Sequence, residues 1–176
     1  MGTDDPADPD PADPRPADPR PADPGPQRRR LATEFDGAED SPGLMLWHVT
    51  NRWQAAIRAA LRPHGLTHVQ FVLLASLAWL DADGPVTQRA LADHAATDPM
   101  MTSQVLRALE DRGLVRREPH PDDRRARALS ITAQGRELAD RTVAVVEARD
   151  RQFFSQLGPE AGTLAGLLRR LSRPRS

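Results

Sequence analysis

Six side chains between residues 103 and 127 have the chemistry to bind a polyanion or to read base edges: Ser103, Gln104, Arg107, Arg124, Arg125 and Arg127. Hydroxyl and amide groups can both donate and accept, and a guanidinium forks onto phosphate or guanine. Met100 and Met101 stand just before them and are apolar enough to pack on thymine methyl groups. Packing against a neighbouring helix is the other use for such a Met pair. The stretch is not polybasic: residues 103–127 hold seven Arg against five acids. Binding would therefore rest on a few placed contacts rather than on bulk charge. Catalytic chemistry is poorly supplied. With no Cys there is no thiol nucleophile, disulfide or thiolate zinc site. The five histidines, His48, His64, His68, His94 and His120, fall in different elements. There is no Gly-rich phosphate loop, nucleophile elbow or metal-spaced His/Glu set. Neither an enzyme nor a bound cofactor or metal is expected.

The elements that must hold these residues are mostly helical. Ser41 followed by Pro42 is a cap and first helical position, and Leu46, Val49, Trp53, Ile57 and Leu61 recur at helical spacing up to Pro63. Thr67 with Gln70 forms a capping box for a second helix, with Leu66 and Phe71 as its staple. The run FVLLASLAWL is apolar nearly all round and is expected to be buried or at an interface. Asp81 to Pro85 reads as a turn. Thr87 caps a short helix with Leu91 and Ala95 facing inward, Ala96-Thr97 connects, and Asp98-Pro99 opens the next helix. In that helix Thr102, Val105, Leu106 and Leu109 share one face, and Met100, Met101, Ser103, Gln104 and Arg107 the other. Gly113 ends it. Leu114–Glu118 and Ala126–Ile131 alternate around a charged turn and read as a hairpin. Thr132 caps a long helix to about Gln156. Gly158-Pro159 breaks it before a last helix with Leu164, Leu167, Leu168 and Leu171 in a stripe.

The 176 residues carry a net charge of −1, which hides an asymmetry. Residues 1–26 hold seven Asp and two Arg and repeat a PADP unit, with 9 of the 17 prolines. The remainder carries a net of +4, all of it from Arg because the chain has no Lys. Residues 1–40 are expected to form an extended, disordered tail, since proline forbids helix and little apolar surface offsets the entropy of ordering. Residues 41–176 form the folded domain. No apolar run is long enough to span a bilayer and the N-terminus lacks a secretory pattern, so a cytoplasmic protein without membrane contact is expected.

Two short helices followed by a two-stranded hairpin with a charged loop form a winged helix-turn-helix. In detail, three segments are similar to the MarR family of bacterial transcription regulators. They are TQRALADHAATDPMMTSQVLRALEDRGLVRR, DDRRARALSIT with Asp123, Arg125 and Thr132 in register, and GLTHVQFVLLASL. The likeness covers roughly residues 42–172. It implies a mainly α fold with a small β-hairpin wing (α+β), a DNA-binding lobe over about 67–131 and dimerisation helices over about 42–62 and 133–172. One departure is Ser103-Gln104, where many members carry Thr-Arg. Gln suits adenine edges or phosphates better than guanine.

By this resemblance the protein would be a homodimeric, sequence-specific regulator of double-stranded DNA, a repressor at a pseudo-palindromic operator, working at the nucleoid. Met100, Met101, Ser103, Gln104 and Arg107 would face the major groove, and Arg124, Arg125 and Arg127 would serve the wing. Arg125 would enter the minor groove, where negative potential concentrates, and Asp123 would brace the wing through an Arg. Leu46, Phe153, Phe154, Leu164, Leu167, Leu168 and Leu171 are candidates for the dimer interface, although a monomeric core would explain a Leu stripe equally. A small aromatic or phenolic effector would meet Trp47, His48, Asn51, Arg52 and His68. The alternative is a winged helix used for protein–protein contact, with no DNA target.

Overall fold

The computed structural model describes residues 32–81, 84–119 and 127–173. The expected tail up to Leu31 and the wing tip with Asp123, Arg124 and Arg125 lie outside the described residues. In chain order the elements are α1 (Pro42–Leu61), α2 (His68–Leu80), β1 (Val86–Thr87), α3 (Gln88–Ala95), α4 (Pro99–Asp111), β2 (Val115–Pro119), β3 (Arg127–Ile131), α5 (Ala133–Phe154) and α6 (Ala161–Leu171). One 3₁₀ turn, Ala38–Asp40, precedes α1, so local structure begins a few residues before the expected boundary at residue 41.

Five of the six α-helices, all but α6, start where a short polar side chain satisfies free N–H groups. Ser41 Oγ accepts from Leu44 N, and Thr87 Oγ1 from Ala90 N. Thr67 Oγ1 accepts from Gln70 N while Gln70 Oε1 accepts from Thr67 N, which completes the capping box. Asp98 Oδ1 accepts from both Met100 N and Met101 N at 2.9 Å, with Pro99 in the first turn of α4. Gly65 and Gly113 take φ of 67° and 69° just past α1 and α4. Ala96 takes φ 50° in the turn between α3 and α4. A side chain there carries strain on the order of 1 kcal/mol, held in place by the closing bonds Ala96 N→Asp93 O and Thr97 N→Ala92 O.

The core joins α1, α2, α3, α4, the sheet and the first half of α5. Ile57, Leu61, Leu73, Leu74, Leu77, Leu91, Leu106, Leu109, Leu114 and Leu129 are its most buried large side chains. The apolar run in α2 is buried through Phe71, Leu73, Leu74 and Leu77, but its end is not: Trp79 is 75% exposed. The sheet has three antiparallel strands in the order β1-β3-β2, not the two of a simple hairpin. β1 is two residues long, too short to show a period in sequence, and pairs Val86 with Leu129 and Thr87 with Ala128. β2 and β3 pair from Val115 with Ile131 to Pro119 with Arg127.

Long polar side chains tie these layers together. Arg112 donates to the Gly65 carbonyl at 2.9 Å, fixing the end of α4 to the α1–α2 turn. Arg136 in the first turn of α5 donates to the Ala78 carbonyl and meets Asp81 at 3.3 Å, closing the end of α2. The tightest approach is at the start of α5. Thr132 N donates to the Leu114 carbonyl, Thr132 Oγ1 to the Gly113 carbonyl, and Gly135 packs directly on the Leu114 carbonyl. A Cβ on Gly135 would collide with that backbone oxygen and also stand 2.9 Å from Ile131 Cγ1. Gly135→Ala is therefore expected to destabilise the fold by about 1–3 kcal/mol or more, as overpacking against unyielding backbone does. A urea unfolding midpoint unchanged from wild type would show that α5 can move away at no cost.

Candidate nucleic-acid interface

The α4 helix divides as its sequence demands. Leu106, Leu109 and Thr102 are buried, and Thr102 Oγ1 donates to the Asp98 carbonyl and meets Thr97 Oγ1 at 2.8 Å. These bonds fix the turn that presents the outer face. On that face Met100 is 73% exposed, and Met101, Gln104 and Arg107 are exposed as well. Met101, at 38%, is the more covered of the pair. Ser103 is half-buried, with its Oγ 3.4 Å from an Arg107 guanidinium nitrogen. Of the expected wing cations, Arg127 is exposed at the first position of β3, and Arg124 and Arg125 fall in the segment not described. The described surface thus joins one helix face of apolar, amide and guanidinium groups to the base of a β-ribbon. That combination fits a groove lined by donors, acceptors and methyl groups.

Four of the five candidate effector residues lie on α1 and the fifth, His68, on α2. Trp47, His48, Asn51 and Arg52 lie exposed on α1, with Trp47 65% exposed and the Asn51 amide donating to the Trp47 carbonyl. His68, which reads as a plain surface position in sequence, is half-buried instead. Its ring stands edge-on to Trp53 at 5.1 Å, and Trp53 Nε1 donates to Asp150 Oδ1 at 2.7 Å. Trp53 and Asp150 were not among the expected site residues, because residues 97 apart in sequence carry no local signal of contact. An open groove of about 560 Å³ lies elsewhere, between α4, β2 and the start of α5, and none of the five lines it.

The candidate dimer residues fall into two groups. Leu46, Leu167, Leu168 and Leu171 are exposed; Phe153, Phe154 and Leu164 are half-buried, with the two Phe rings edge-to-face at 5.0 Å. Among the described residues no cluster of His, Cys, Asp or Glu could hold a metal ion, and no helix is long and apolar enough to cross a membrane.

The MarR family model matches residues 66–126, the segment from the residue before the α2 cap to the residue before β3. The uncharacterized HTH-type transcriptional regulator YdcH of Bacillus subtilis is 40% identical over 136 residues, 77% of this chain and 92% of that protein. The chain belongs to the MarR family. As a MarR-family protein it is similar to transcriptional regulators. One is the HTH-type transcriptional repressor Rv2887 of Mycobacterium tuberculosis, 38% identical over 121 residues, 68% of this chain and 85% of the repressor. The structure of Rv2887 in complex with DNA aligns with a TM-score of 0.59 at 33% identity over 76% of this chain and 98% of that one. CouR from Rhodococcus jostii RHA1, solved bound to p-coumaroyl-CoA, aligns with a TM-score of 0.71 at 29% identity over 81% of this chain and 99% of that one.

The environment of His68 makes one pH dependence readable. Burial and the Arg58 charge hold its imidazole below the ordinary value of 6.5, while Asp150 pulls the other way. The unfolded chain therefore binds this proton more readily than the folded one, so stability is full above about pH 6.5 and is lost as pH falls toward the folded pKa. In His68→Gln the fall in urea midpoint between about pH 7.5 and about pH 5.5 is expected to be smaller than in wild type. An identical fall in both proteins would assign the acid sensitivity to other groups.

Proposed function

We propose that this MarR-family protein is a homodimeric, sequence-specific double-stranded DNA-binding regulator. It acts as a repressor on a pseudo-palindromic operator and releases it when a small aromatic or phenolic ligand binds. The observation that carries the reading is the exposed outer face of α4, with Met100, Met101, Gln104 and Arg107 turned to solvent while Thr102, Leu106 and Leu109 anchor the helix. A folded domain gains little from exposing two methionines, whereas a groove with thymine methyls gives them partners. Ser103 and Gln104 would read base edges or phosphates. Arg107 would contact guanine or phosphate, Arg124 and Arg127 the backbone, and Arg125 the minor groove, with Asp123 holding the wing. A DNA target means work in the cytoplasm, at the nucleoid.

Two features favour a homodimer. Helix α6 buries none of its residues fully, yet carries Leu164, Leu167, Leu168 and Leu171 along one stripe. Leu46 on α1 is also exposed, and Phe153 and Phe154 close the end of α5. One recognition helix reads only a few base pairs, so two-fold pairing is what gives a half-site repeat its meaning. The effector reading is supported by relatives: Rv2887 has been solved with salicylic acid and CouR with p-coumaroyl-CoA. In this chain Trp47, His48, Asn51 and Arg52 would need a second protomer to enclose them, with His68 contributing from α2. Ligand and DNA would then weaken each other by the same factor.

The test is fluorescence anisotropy on DNA from the protein's own upstream region and on scrambled DNA, at several salt concentrations. Wild type is expected to prefer its own region by about a thousandfold or more. Gln104→Ala and Arg125→Ala are each expected to lose about 1–3 kcal/mol on that region. Leu168→Glu with Leu171→Glu should convert the dimer to monomer by sedimentation and remove specific binding with it. A folded dimer that binds neither DNA would instead support the protein–protein reading.

A further inference from the structure

Arg117 has no role in the reading face described above, yet its guanidinium contacts two residues of α4. It sits in the middle of β2, opposite Leu129 in β3. Strand alternation puts it on the same side as buried Val115, while Arg116 and Glu118 point to solvent. Its side chain is only 23% exposed and crosses from the wing to the recognition helix. There the guanidinium donates to the Ser103 carbonyl at 3.4 Å, and Nε stands 3.2 Å from Glu110 Oε2. Nε is shut off from solvent and its line to the carboxylate misses hydrogen-bond geometry, so the Glu110 contact is an ionic one. The two contacts lie seven residues apart on α4, two turns of one face. One is made to the backbone of Ser103, whose side chain stands beside Arg107.

We propose that Arg117, held by Glu110, is a positioning residue that ties the wing ribbon to the recognition helix and fixes the angle between the two DNA-reading elements. The proposal rests on the DNA-binding reading. Helix and wing enter different grooves, so a site is read well only if both can seat at once. A planar guanidinium is suited to this, because its donors are fixed in one fork and can hold two partners at a set angle. The pair contributes little to stability, since partly exposed ion pairs are screened. Its charge is also unavailable to phosphate, because Glu110 neutralises it.

The experiment measures binding of Arg117→Met and Glu110→Gln to the protein's own upstream DNA and to scrambled DNA over a salt series. Hydrogen exchange is followed on the free proteins, and circular dichroism checks that both variants fold. If Arg117 positions, both variants weaken specific binding by about tenfold, within the range expected for losing one base contact. Scrambled-DNA binding and the salt slope stay as in wild type. Amides of β2 and β3 exchange faster while those of α1 and α5 do not change. If Arg117 instead binds phosphate, Arg117→Met lowers the slope by about 0.9 and weakens both DNAs alike. In that case Glu110→Gln, which removes a negative charge and frees the guanidinium, tightens binding. Either result overturns the proposal, as does wild-type behaviour in both variants. A wild type that does not discriminate its own region would sink the DNA-binding reading. The exchange of β2 and β3 would then decide the tie by itself: faster exchange in both variants keeps it, and unchanged exchange ends it.

Discussion

The carbonyl of Leu114 is where three elements are joined. It lies just past the end of α4, at the entry to β2, and accepts the backbone N–H of Thr132 at 3.1 Å. The Thr132 hydroxyl bonds the Gly113 carbonyl at 2.8 Å and caps α5 through Gly135 N. The missing side chain of Gly135 lets the first turn of α5 rest on this corner. The exit of the recognition helix, the base of the wing and the start of the long helix therefore share one fixed point. At its other end α5 meets α1, where Asp150 accepts from Trp53. A helix of 22 residues spans roughly 33 Å. The same helix therefore runs from the α1 contact to the α4–β2 corner.

Polar groups inside this lobe are few and each has a mechanical use. Thr102 and Thr142 are the buried polar residues among those described, and both donate to carbonyls of their own helices. Thr102 also meets Thr97, so the turn between α3 and α4 is fixed by hydrogen bonds as well as by packing. The strained Ala96 is held inside that closed turn. Burial thus fixes one face of α4 and leaves the composition of the other, with its Met, Gln and Arg, unconstrained by the core.

Much of this was legible in the chain because caps and periodicity are local. Ser41, Thr67, Thr87, Asp98 and Thr132 each mark a helix start, and all five cap as their types require. What escaped was tertiary. Two residues of β1 show no alternation, and only pairing with β3 makes them a strand. At the first position of α2 His68 reads as solvent-facing, yet the Trp53 ring from α1 packs against it. Trp79 ends an apolar run and stays exposed, because periodicity counts apolar residues without knowing where the neighbouring layer stops. Arg117 did leave a signal: in Val115-Arg116-Arg117 the alternation that turns Val115 inward turns Arg117 inward too. A cation on the buried side of a strand needs a partner, but the strand cannot say which helix supplies it.

The α6 helix poses a different problem, since its stripe is plain in sequence and still unburied in the fold. Leu167, Leu168 and Leu171 stay exposed in a single chain, and a helix of 11 residues is marginal without packing. A second copy that covers this stripe would supply the missing contacts to α6, to the exposed part of α1 around Leu46 and Trp47, and to the end of α5. Part of the stability of each protomer would then depend on protein concentration. The candidate effector residues Trp47, His48, Asn51 and Arg52 are exposed on α1 as well. In the proposed dimer, enclosing them and pairing the two α4 helices would be one event, so a ligand seated there would act on the spacing of those helices without touching either one.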